Sequence, residues 1–500
     1  MTTTIVHPSL ADRRAKGADA ASTTPPSSHA GWKPATDRPD PVALLEEQNL
    51  TREPDLVPVR HGRMVVSPFT FYRGAARIMA ADLAGTPTAG LEVQLCGDAH
   101  LSNFGAFASP ERRLLFDLND FDETLPGPFE WDVKRMAASF TIAARNNGLS
   151  AAEGSSVTLA SVRGYREAMA KFAQMRTMDL WYAHLSEDDL RAAISSLAPT
   201  GHGKKDGKSS KGGKDKDGKG SHNGGGKAAH VDLAAAAKQG EKTLRKAHTR
   251  DSLQALSKLG ELVDGRYRIV SQPPVVVPAR DLAAAWGMTP EEVETTLHHQ
   301  FREYRATLPD DRRHLLERFE IIDMARKVVG VGSVGTRAFI VLLQGRDAQD
   351  PLFLQVKEAT RSVLEDHLPK SRYANPGERV VRGQRMMQAA SDIYLGWTKG
   401  VQADRHYYWR QLRDMKASAL VDTMSAAVLE LYAGLCGWTL ARAHARSGDA
   451  VAIAEYLGAD DAFDRSITDF SQRYADQNDR DYQALVAAIS SGRVPAVEGI

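Results

Sequence analysis

Two short polar segments, each placed directly behind an apolar run, contain the side chains best suited to chemistry. The segment "GDAHLSN" follows "LEVQL" and places the acid Asp98 and the amide Asn103 five positions apart. The segment "LLFDLNDFDE" adds four acids, which are Asp117, Asp120, Asp122 and Glu123. Loops at strand ends often hold functional groups, carboxylate and amide oxygens suit Mg²⁺, and one Asp stays free to accept the proton of an attacking hydroxyl. The alternative is a pair of acidic turns on a solvated surface.

A glycine-rich stretch, "GVGSVG", contains Gly330, Gly332 and Gly335 and lets backbone N–H groups approach a polyphosphate closely. A strand-like segment, "TRAFIVLL", follows it where a dinucleotide-binding fold would need a helix. No Gly-Lys-Ser/Thr ends it, so it is not a P-loop. The stretch therefore predicts a glycine-rich flap between two antiparallel strands, as in kinases.

Lys357 lies at the end of the apolar strand-like segment "FLQVKEA". One other strand-like segment separates it from the glycine-rich flap. A lysine there is costly unless it is paired. In a kinase-like lobe this lysine holds the α- and β-phosphates of ATP, and a helix glutamate positions it. Glu378, at the start of the next helix, fits that order better than Glu365. The alternative is an edge-strand lysine that prevents aggregation.

The elements that must position these residues divide into two kinds. Hydrophobic spacing predicts helices in "SPFTFYRGAARIMAADLAG", "EWDVKRMAASFTIAARNNG" and "TMSAAVLELYAGLCGWTLARAHARSG". Three successive strands are predicted over Phe319–Val329, Thr336–Leu343 and Pro351–Glu358, followed by a helix near "PGERVVRGQRMMQAASD". The pattern predicts an α+β fold with two lobes.

Composition narrows the class of protein. Of the 500 residues, 42% are hydrophobic and 25% are charged, which is typical of a soluble globular chain long enough for more than one lobe. The net charge of +1 gives no reason to expect a nucleic-acid or membrane partner. Only two cysteines are present, and no apolar run could span a bilayer. We therefore expect a cytoplasmic protein with no nucleic-acid or membrane partner.

The same patterns divide the chain into six segments. Two of them, the N-terminal tail and an internal insertion, have a composition too poor in large apolar residues to form a packed core. The predicted segments are a disordered N-terminal tail (1–45), a helical catalytic lobe (46–200), a low-complexity insertion (201–230), a helical remainder of the catalytic lobe (231–318), a small β-rich nucleotide-binding lobe (319–415) and C-terminal helices that return to the catalytic lobe (416–500).

The segments "GDAHLSN" and "NDFDETLPGPFEWDVKRMA" together resemble the catalytic and metal loops of aminoglycoside and choline phosphotransferases, which share the protein-kinase fold. The resemblance implies that Asp98 is the catalytic base and that Asn103 and Asp120 are Mg²⁺ ligands. It also implies that Asp132 is a structural acid that ties the lobe together. Cys96 departs from the family pattern, which has histidine there. Residues from about 45 to 490 also resemble a bacterial family known only as domain of unknown function twenty-two fifty-two, which is placed among kinase-like folds.

The order of the motifs differs from that of kinases. The glycine flap and Lys357 follow the catalytic loop by more than two hundred positions, and a helix ending "LARAHARSG", which resembles the one that leads into that loop, lies near the C-terminus. A circular permutation explains these displacements, because chain ends of a compact fold often lie close together. It predicts that Lys357 lies within about 6 Å of Asp120 across one cleft, where opposite charges favour each other's ionised forms. The competing explanation is coincidence among short motifs.

The predicted function is an ATP- and Mg²⁺-dependent phosphotransferase that acts on a small hydroxyl- or amine-bearing metabolite. Arg63 and Arg73 are candidates for the acceptor pocket. One alternative is a pseudokinase or nucleotide-sensing binding protein, which the missing loop histidine allows. The other is a metal-dependent phosphohydrolase, because "GDAH" behind a strand also resembles metallophosphatase loops. That class needs further Asn-His and His-x-His ligands, of which the chain offers no convincing set.

Overall fold

The computed structural model describes residues 7–197, 225–402, 404–412 and 415–499, and it confirms a mixed α+β fold. The helices are α1 (Leu10–Thr23), α2 (Pro41–Asn49), α3 (Val57–Met64), α4 (Pro68–Gly74), α5 (Ala76–Leu83), α6 (Phe129–Asn146), α7 (Ala151–Phe172), α8 (Thr177–Tyr182), α9 (Glu187–Ser196), α10 (Gly225–His248), α11 (Ser252–Leu259), α12 (Ala279–Leu282), α13 (Pro290–Arg305), α14 (Asp310–Leu316), α15 (Pro376–Met387), α16 (Ala426–Ser447), α17 (Ala450–Leu457) and α18 (Ala462–Ser490).

The strands are short, and most of them pair antiparallel with a neighbour in the chain. They are β1 (Glu92–Leu95), β2 (Phe104–Ala108), β3 (Leu114–Leu118), β4 (Leu125–Pro128), β5 (Leu185–Ser186), β6 (Gly260–Val263), β7 (Arg266–Ile269), β8 (Val276–Pro278), β9 (Glu320–Lys327), β10 (Ala338–Gln344), β11 (Pro351–Glu358), β12 (Gly396–Lys399) and β13 (His406–Gln411).

A helical unit forms around α6 and α7, against which α16 and α18 pack. Helix α6 is buried along nearly its whole length, and its buried charged side chains, such as Asp132 and Arg135, have polar partners. Glycines let α7 and α16 approach closely, since a side-chain carbon on Gly437 would lie 2.2 Å from the carbonyl oxygen of Ser161. The C-terminal helices therefore complete the same core as α6 and α7.

A six-stranded antiparallel sheet forms the second unit, in the order β12-β13-β11-β10-β9-β8. Alternate residues of β10 enter different cores. Ile340 and Leu342 pack with residues of α11, whereas Val341 and Leu343 pack with residues of α13. Burial on both faces explains the near-continuous apolar run of this strand. The predicted antiparallel pairing on either side of the glycine-rich stretch is confirmed, and Lys357 lies on the next strand of the same sheet.

The N-terminal segment differs from the expected disordered tail, although residues 1–6 lie outside the described residues. Helices α1 and α2 form, and Arg38 makes 2.6 Å ion pairs with Asp82 and with Asp481. Gly17 lets α1 lie directly on α17, because a side-chain carbon there would be 2.3 Å from the carbonyl oxygen of Ala452. Ion pairs and small residues thus order a segment that has few large apolar side chains.

The region 231–318 was expected to be a helical remainder of the catalytic lobe; most of it is helical, but α11 and α13 pack on the six-stranded sheet. It contains β6, β7 and β8, and β8 joins the six-stranded sheet. Helices α11 and α13 cover the two faces of that sheet, because their apolar stripes match its side chains. Of the predicted insertion 201–230, residues 201–224 lie outside the described residues, and Gly225 begins α10.

Among the described helices, none is both long enough and apolar enough to span a membrane.

Candidate functional site

A cleft of about 930 Å³ separates the glycine-rich turn and the end of the sheet from the loops that follow β1 and β3. Most of the residues singled out from the sequence line it. Those are Asp98, Asn103, Asp120, Gly330 and Gly332. Lys357 is 3% exposed in its side chain and meets the cleft through the acids that it contacts. The fold thus brings together two groups of motifs that lie more than two hundred residues apart.

The loop after β1 is fixed by a buried acid on α6. Asp132 accepts hydrogen bonds from the backbone N–H groups of Cys96 at 2.7 Å and Gly97 at 3.0 Å, and His444 of α16 lies 3.3 Å from it. Gly97 has φ of +84°, and a side-chain carbon there would lie 2.4 Å from the carbonyl oxygen of Glu123. Asp132 therefore ties this loop to two helices, as the resemblance implied.

The Asp98 carboxylate is held on one side only. Its Oδ1 accepts hydrogen bonds from Arg135 Nε at 2.8 Å and Nη2 at 2.7 Å. Within the described part of the chain, Oδ2 is approached by His100 Nε2 at 3.8 Å. Burial raises the pKa of Asp98, and the Arg135 guanidinium opposes that rise. The group is therefore a carboxylate with one fixed oxygen and one oxygen able to accept a proton.

The neighbouring polar residues keep that loop in place. His100 Nδ1 accepts the Ser102 N–H at 3.2 Å, so the proton of the neutral ring is on Nε2 and faces Asp98. Burial keeps the pKa of His100 well below its usual value. Asn103 Nδ2 donates to the carbonyl oxygen of Asp98 at 2.8 Å, which leaves its Oδ1 as an acceptor. The Asn119 N–H donates to the carbonyl of Asn103 at 2.8 Å and so joins the two acidic loops.

Lys357 meets the second acidic loop across the cleft. Its Nζ lies 2.6 Å from Asp122 Oδ2 and 3.8 Å from Asp120 Oδ2, so the predicted approach to Asp120 is confirmed. The Tyr408 hydroxyl donates to Asp122 Oδ1 at 2.7 Å. Burial alone would lower the pKa of Lys357, but the two carboxylates outweigh it and raise that pKa. Burial would likewise raise the pKa of Asp122, but Lys357 and Tyr408 bring it below the usual range.

The acids of this loop differ in what they can still bind. Both carboxylate oxygens of Asp122 already have partners. Within the described ranges, Asp120 Oδ1 accepts only the Asp122 N–H at 3.2 Å, and the Asp120 side chain is 31% exposed. Among the described residues no three His, Cys, Asp or Glu side chains form a metal cage. Mg²⁺ usually takes one or two protein oxygens together with water and phosphate oxygens, so Asp120 and Asn103 fit such an ion.

The glycine-rich turn lies against the helical unit. Gly330 and Gly335 have φ of +65° and +87°, which only glycine adopts readily. A side-chain carbon on Gly332 would lie 3.0 Å from the carbonyl oxygen of Arg73. Arg63 Nη1 donates to the carbonyl of Gly330 at 2.6 Å, and Arg52 Nη1 donates to that of Val334 at 2.5 Å. Both arginines therefore attach the turn to the segment before β1.

The expected ion pair between Lys357 and Glu378 is a wrong prediction. Glu378 pairs instead with Arg382, one turn along α15, at 3.2 Å. The same helix directs Arg379 toward the acidic loop, where it donates to the carbonyl of Asp122 at 2.7 Å. Asp122 takes the place that Glu378 was expected to fill, because the loop after β3 holds the Asp122 carboxylate 2.6 Å from the Lys357 ammonium.

Sequence reasoning missed several residues that complete the site. Arg135 follows Asp132 by three positions, so helical spacing alone would have placed both on the face of α6 that meets the loop after β1. Tyr408 lies directly opposite Lys357 in the pairing of β11 with β13. No local pattern gives that register, because β13 is separated from β11 by α15 and β12.

Glu123, which also lines the cleft, gives a prediction on stability. Its Oε2 accepts the Val363 N–H at 2.7 Å, and burial raises its pKa to about 7. A raised folded pKa means that the folded state binds the proton better, so the contribution of Glu123 to stability is lost as the pH rises from about 4.5 to about 7. Glu123→Gln should therefore gain stability relative to wild type between pH 5 and pH 8, by at most about 3 kcal/mol.

The measurement is the midpoint of thermal unfolding at the two pH values, with Glu294→Gln as the control. Glu294 is 75% exposed on α13, so its variant should follow the wild type at both pH values. Equal differences between Glu123→Gln and wild type at both pH values would contradict the assignment.

Comparison with known proteins gives a family but no characterised relative. No curated protein sequence matches the chain, and no solved structure matches it. A family profile does match, over residues 52–206 and 211–488, which includes both acidic loops, the glycine-rich turn and Lys357. The chain belongs to DUF2252, a family of uncharacterized proteins conserved in bacteria.

Proposed function

We propose that this protein is an ATP- and Mg²⁺-dependent phosphotransferase that acts on a small hydroxyl- or amine-bearing metabolite and has a circularly permuted kinase-like fold. The observation that carries the proposal is the position of Lys357. Its ammonium lies 2.6 Å from Asp122 and 3.8 Å from Asp120 across one cleft. The glycine-rich turn that borders this cleft joins the two strands that precede the lysine strand. Kinases place these parts together around the phosphates of ATP.

Each side chain of the cleft has a role in this proposal. Lys357 neutralises phosphate charge, and the backbone of the glycine-rich turn covers the phosphates. Asp120 and Asn103 would hold Mg²⁺, which supplies further neutralisation of that charge when bound. Asp98 accepts the proton of the attacking hydroxyl through its less constrained oxygen. Arg135 keeps the other oxygen of Asp98 in place.

Contacts between distant parts of the chain support the permutation. The end of α16 lies against β1, where the Gln94 N–H donates to Ser447 Oγ at 3.0 Å. A helix of this sequence pattern leads directly into the catalytic loop in the phosphotransferases that the chain resembles. The C-terminus also returns to α3, where the Val497 N–H donates to the carbonyl of Pro58 at 2.9 Å. Both contacts join the segment that begins with α16 to the segment that ends with β1, which is the connection that the proposed permutation would have opened.

Two departures from the family pattern affect this proposal differently. Cys96 replaces a histidine, but the loop is anchored by the backbone N–H of residue 96, which does not depend on the side chain. The absence of the Lys357–Glu378 pair is the larger departure, because kinases need such a pair for activity. That observation favours a second candidate, a nucleotide-binding protein without transfer activity. A metal-dependent phosphohydrolase is disfavoured, since the described residues offer no cluster of three or more metal-binding side chains.

Nucleotide-dependent thermal stabilisation tests the proposal. We expect ATP with Mg²⁺ at millimolar concentration to raise the unfolding midpoint, because a ligand at about 100 times its Kd stabilises the folded state by about 2.7 kcal/mol. ATP with a chelator should stabilise less, and Mg²⁺ alone should have little effect. No shift with ATP and Mg²⁺ together would contradict the proposal.

A further inference from the structure

Six arginines line the cleft within the described residues, and they differ in how their charge is used. Four of them form ion pairs with carboxylates. Arg77 pairs with Glu47 and Asp366, Arg361 pairs with Asp366, and Arg337 and Arg405 pair with Glu358. Arg52 and Arg73 form no such pair among the described residues, so their guanidinium groups remain available to an anion.

The two available arginines lie in different parts of the cleft. Arg52 is 7% exposed and donates to the carbonyl of Val334, next to the glycine-rich turn. The acids whose charges act on it are Glu123, Glu358 and Asp122, on the side of Lys357. That position belongs with the proposed phosphate site of ATP.

Arg73 lies on the other side, next to the proposed catalytic base. The charges that act on it are those of Asp98 and Asp422, and its Nε is buried without a hydrogen-bond acceptor in the described part of the chain. Arg73 is partly exposed and lines the cleft, so an anion that enters the cleft could supply an acceptor to its guanidinium. Arginine binds carboxylate and phosphate groups especially well because its planar fork can donate two parallel hydrogen bonds.

Most of the carboxylates at the cleft are already paired with cationic side chains. Asp98 is paired with Arg135, Asp122 with Lys357, and Glu358 with two arginines. A cationic acceptor would therefore find few carboxylates that are not already paired. Asp120, which lies 3.8 Å from Lys357, is needed for Mg²⁺ in the proposed function. The charge pattern favours an anionic acceptor over a cationic one.

We propose that Arg73 binds a carboxylate or phosphate group of the acceptor, so that the substrate is a small anionic metabolite whose hydroxyl or amine faces Asp98. This inference rests on the proposed function and narrows its substrate class. Arg73 could instead bind the terminal phosphate of ATP, which is also an anion. The experiment distinguishes binding of the acceptor from binding of ATP.

The experiment titrates inorganic phosphate into the full chain by calorimetry, with and without Mg²⁺ and a non-hydrolysable ATP analogue. With the analogue bound, the wild type should bind phosphate, and Arg73→Gln should weaken that binding by at least about tenfold, the effect of one lost charged contact. Arg73→Lys should keep part of the phosphate affinity, because lysine keeps the positive charge. Arg77→Gln is the matched control, since Arg77 lies at the same cleft but is already paired.

Two results would overturn the inference. One is equal phosphate affinity in wild type and Arg73→Gln, and the other is a similar loss of affinity for the ATP analogue, which would assign Arg73 to the nucleotide. If the analogue does not bind the wild type, the proposed function fails, whereas phosphate titrated alone still tests Arg73. A loss of phosphate binding in Arg73→Gln then supports an anion site, and no loss overturns it.

Discussion

Asp98→Asn is expected to lower the rate of phosphoryl transfer by about 10³-fold, the usual contribution of a general base. Asparagine keeps the shape of the side chain and an oxygen for Arg135, but it cannot accept the proton of the attacking group. Since Asp98 is the proposed base and does not belong to the proposed phosphate site, the affinity for ATP with Mg²⁺ should change by no more than about twofold. The measurement is ADP formation that depends on an acceptor identified by screening metabolites for ATP consumption.

Asp404→Asn is the matched control for this variant. Asp404 is an exposed acid that lines the same cleft, and its loss should leave the rate close to that of the wild type. Retained nucleotide binding shows that Asp98→Asn is folded. A transfer rate that is unchanged by Asp98→Asn would contradict the assigned role. Nucleotide binding without turnover in either form would favour the nucleotide-sensing alternative.

Lys357→Met is expected to have two large effects. It removes the cation from a buried ion pair and leaves Asp122 without it, which should lower the free energy of unfolding by about 3 kcal/mol. It should also abolish detectable binding of ATP with Mg²⁺, because the lysine is the proposed partner of the phosphates. Thermal unfolding and calorimetric titration of ATP measure the two effects separately.

A second variant distinguishes these two roles. In Lys357→Met/Asp122→Asn the uncompensated carboxylate is gone, so much of the lost stability should return while nucleotide binding stays absent. Lys399→Met is the control, because Lys399 is an exposed lysine on β12 of the same sheet. Recovery of ATP binding together with stability in the double variant would show that Lys357 has only a structural role.

The sequence allowed prediction of the sheet around Lys357 for a clear physical reason. Strand β10 is buried on both faces, which gives a near-continuous apolar run, and glycines separate it from β9. The approach of Lys357 to Asp120 was predictable from motif order once a permutation was assumed. Motif order does not say which of two acids, Asp120 or Asp122, turns toward the lysine, because that depends on the backbone of the loop between β3 and β4.

The sequence predictions that the structure corrects fail where packing between distant segments leaves no pattern in the local sequence. The helix α1 is ordered through the close approach of Gly17 to α17 and through ion pairs such as that of Arg13 with Asp449, neither of which gives an apolar pattern. An apolar stripe such as that of α13 does not show whether the partner of the helix is a sheet or another helix. Glu378 has the right position in the chain for a lysine partner, yet its helix turns that side chain toward Arg382.

The dependence of ATP binding on Mg²⁺ tests the central claim most directly. Calorimetry should compare ATP affinity with and without Mg²⁺ in the wild type and in Asp120→Asn. We predict that Mg²⁺ strengthens ATP binding by about tenfold or more in the wild type, that Asp120→Asn removes most of this gain, and that it leaves Mg²⁺-free affinity unchanged or improved because a negative charge near the phosphates is lost. An equal gain from Mg²⁺ in both proteins, or no binding of ATP to the wild type, would contradict the account.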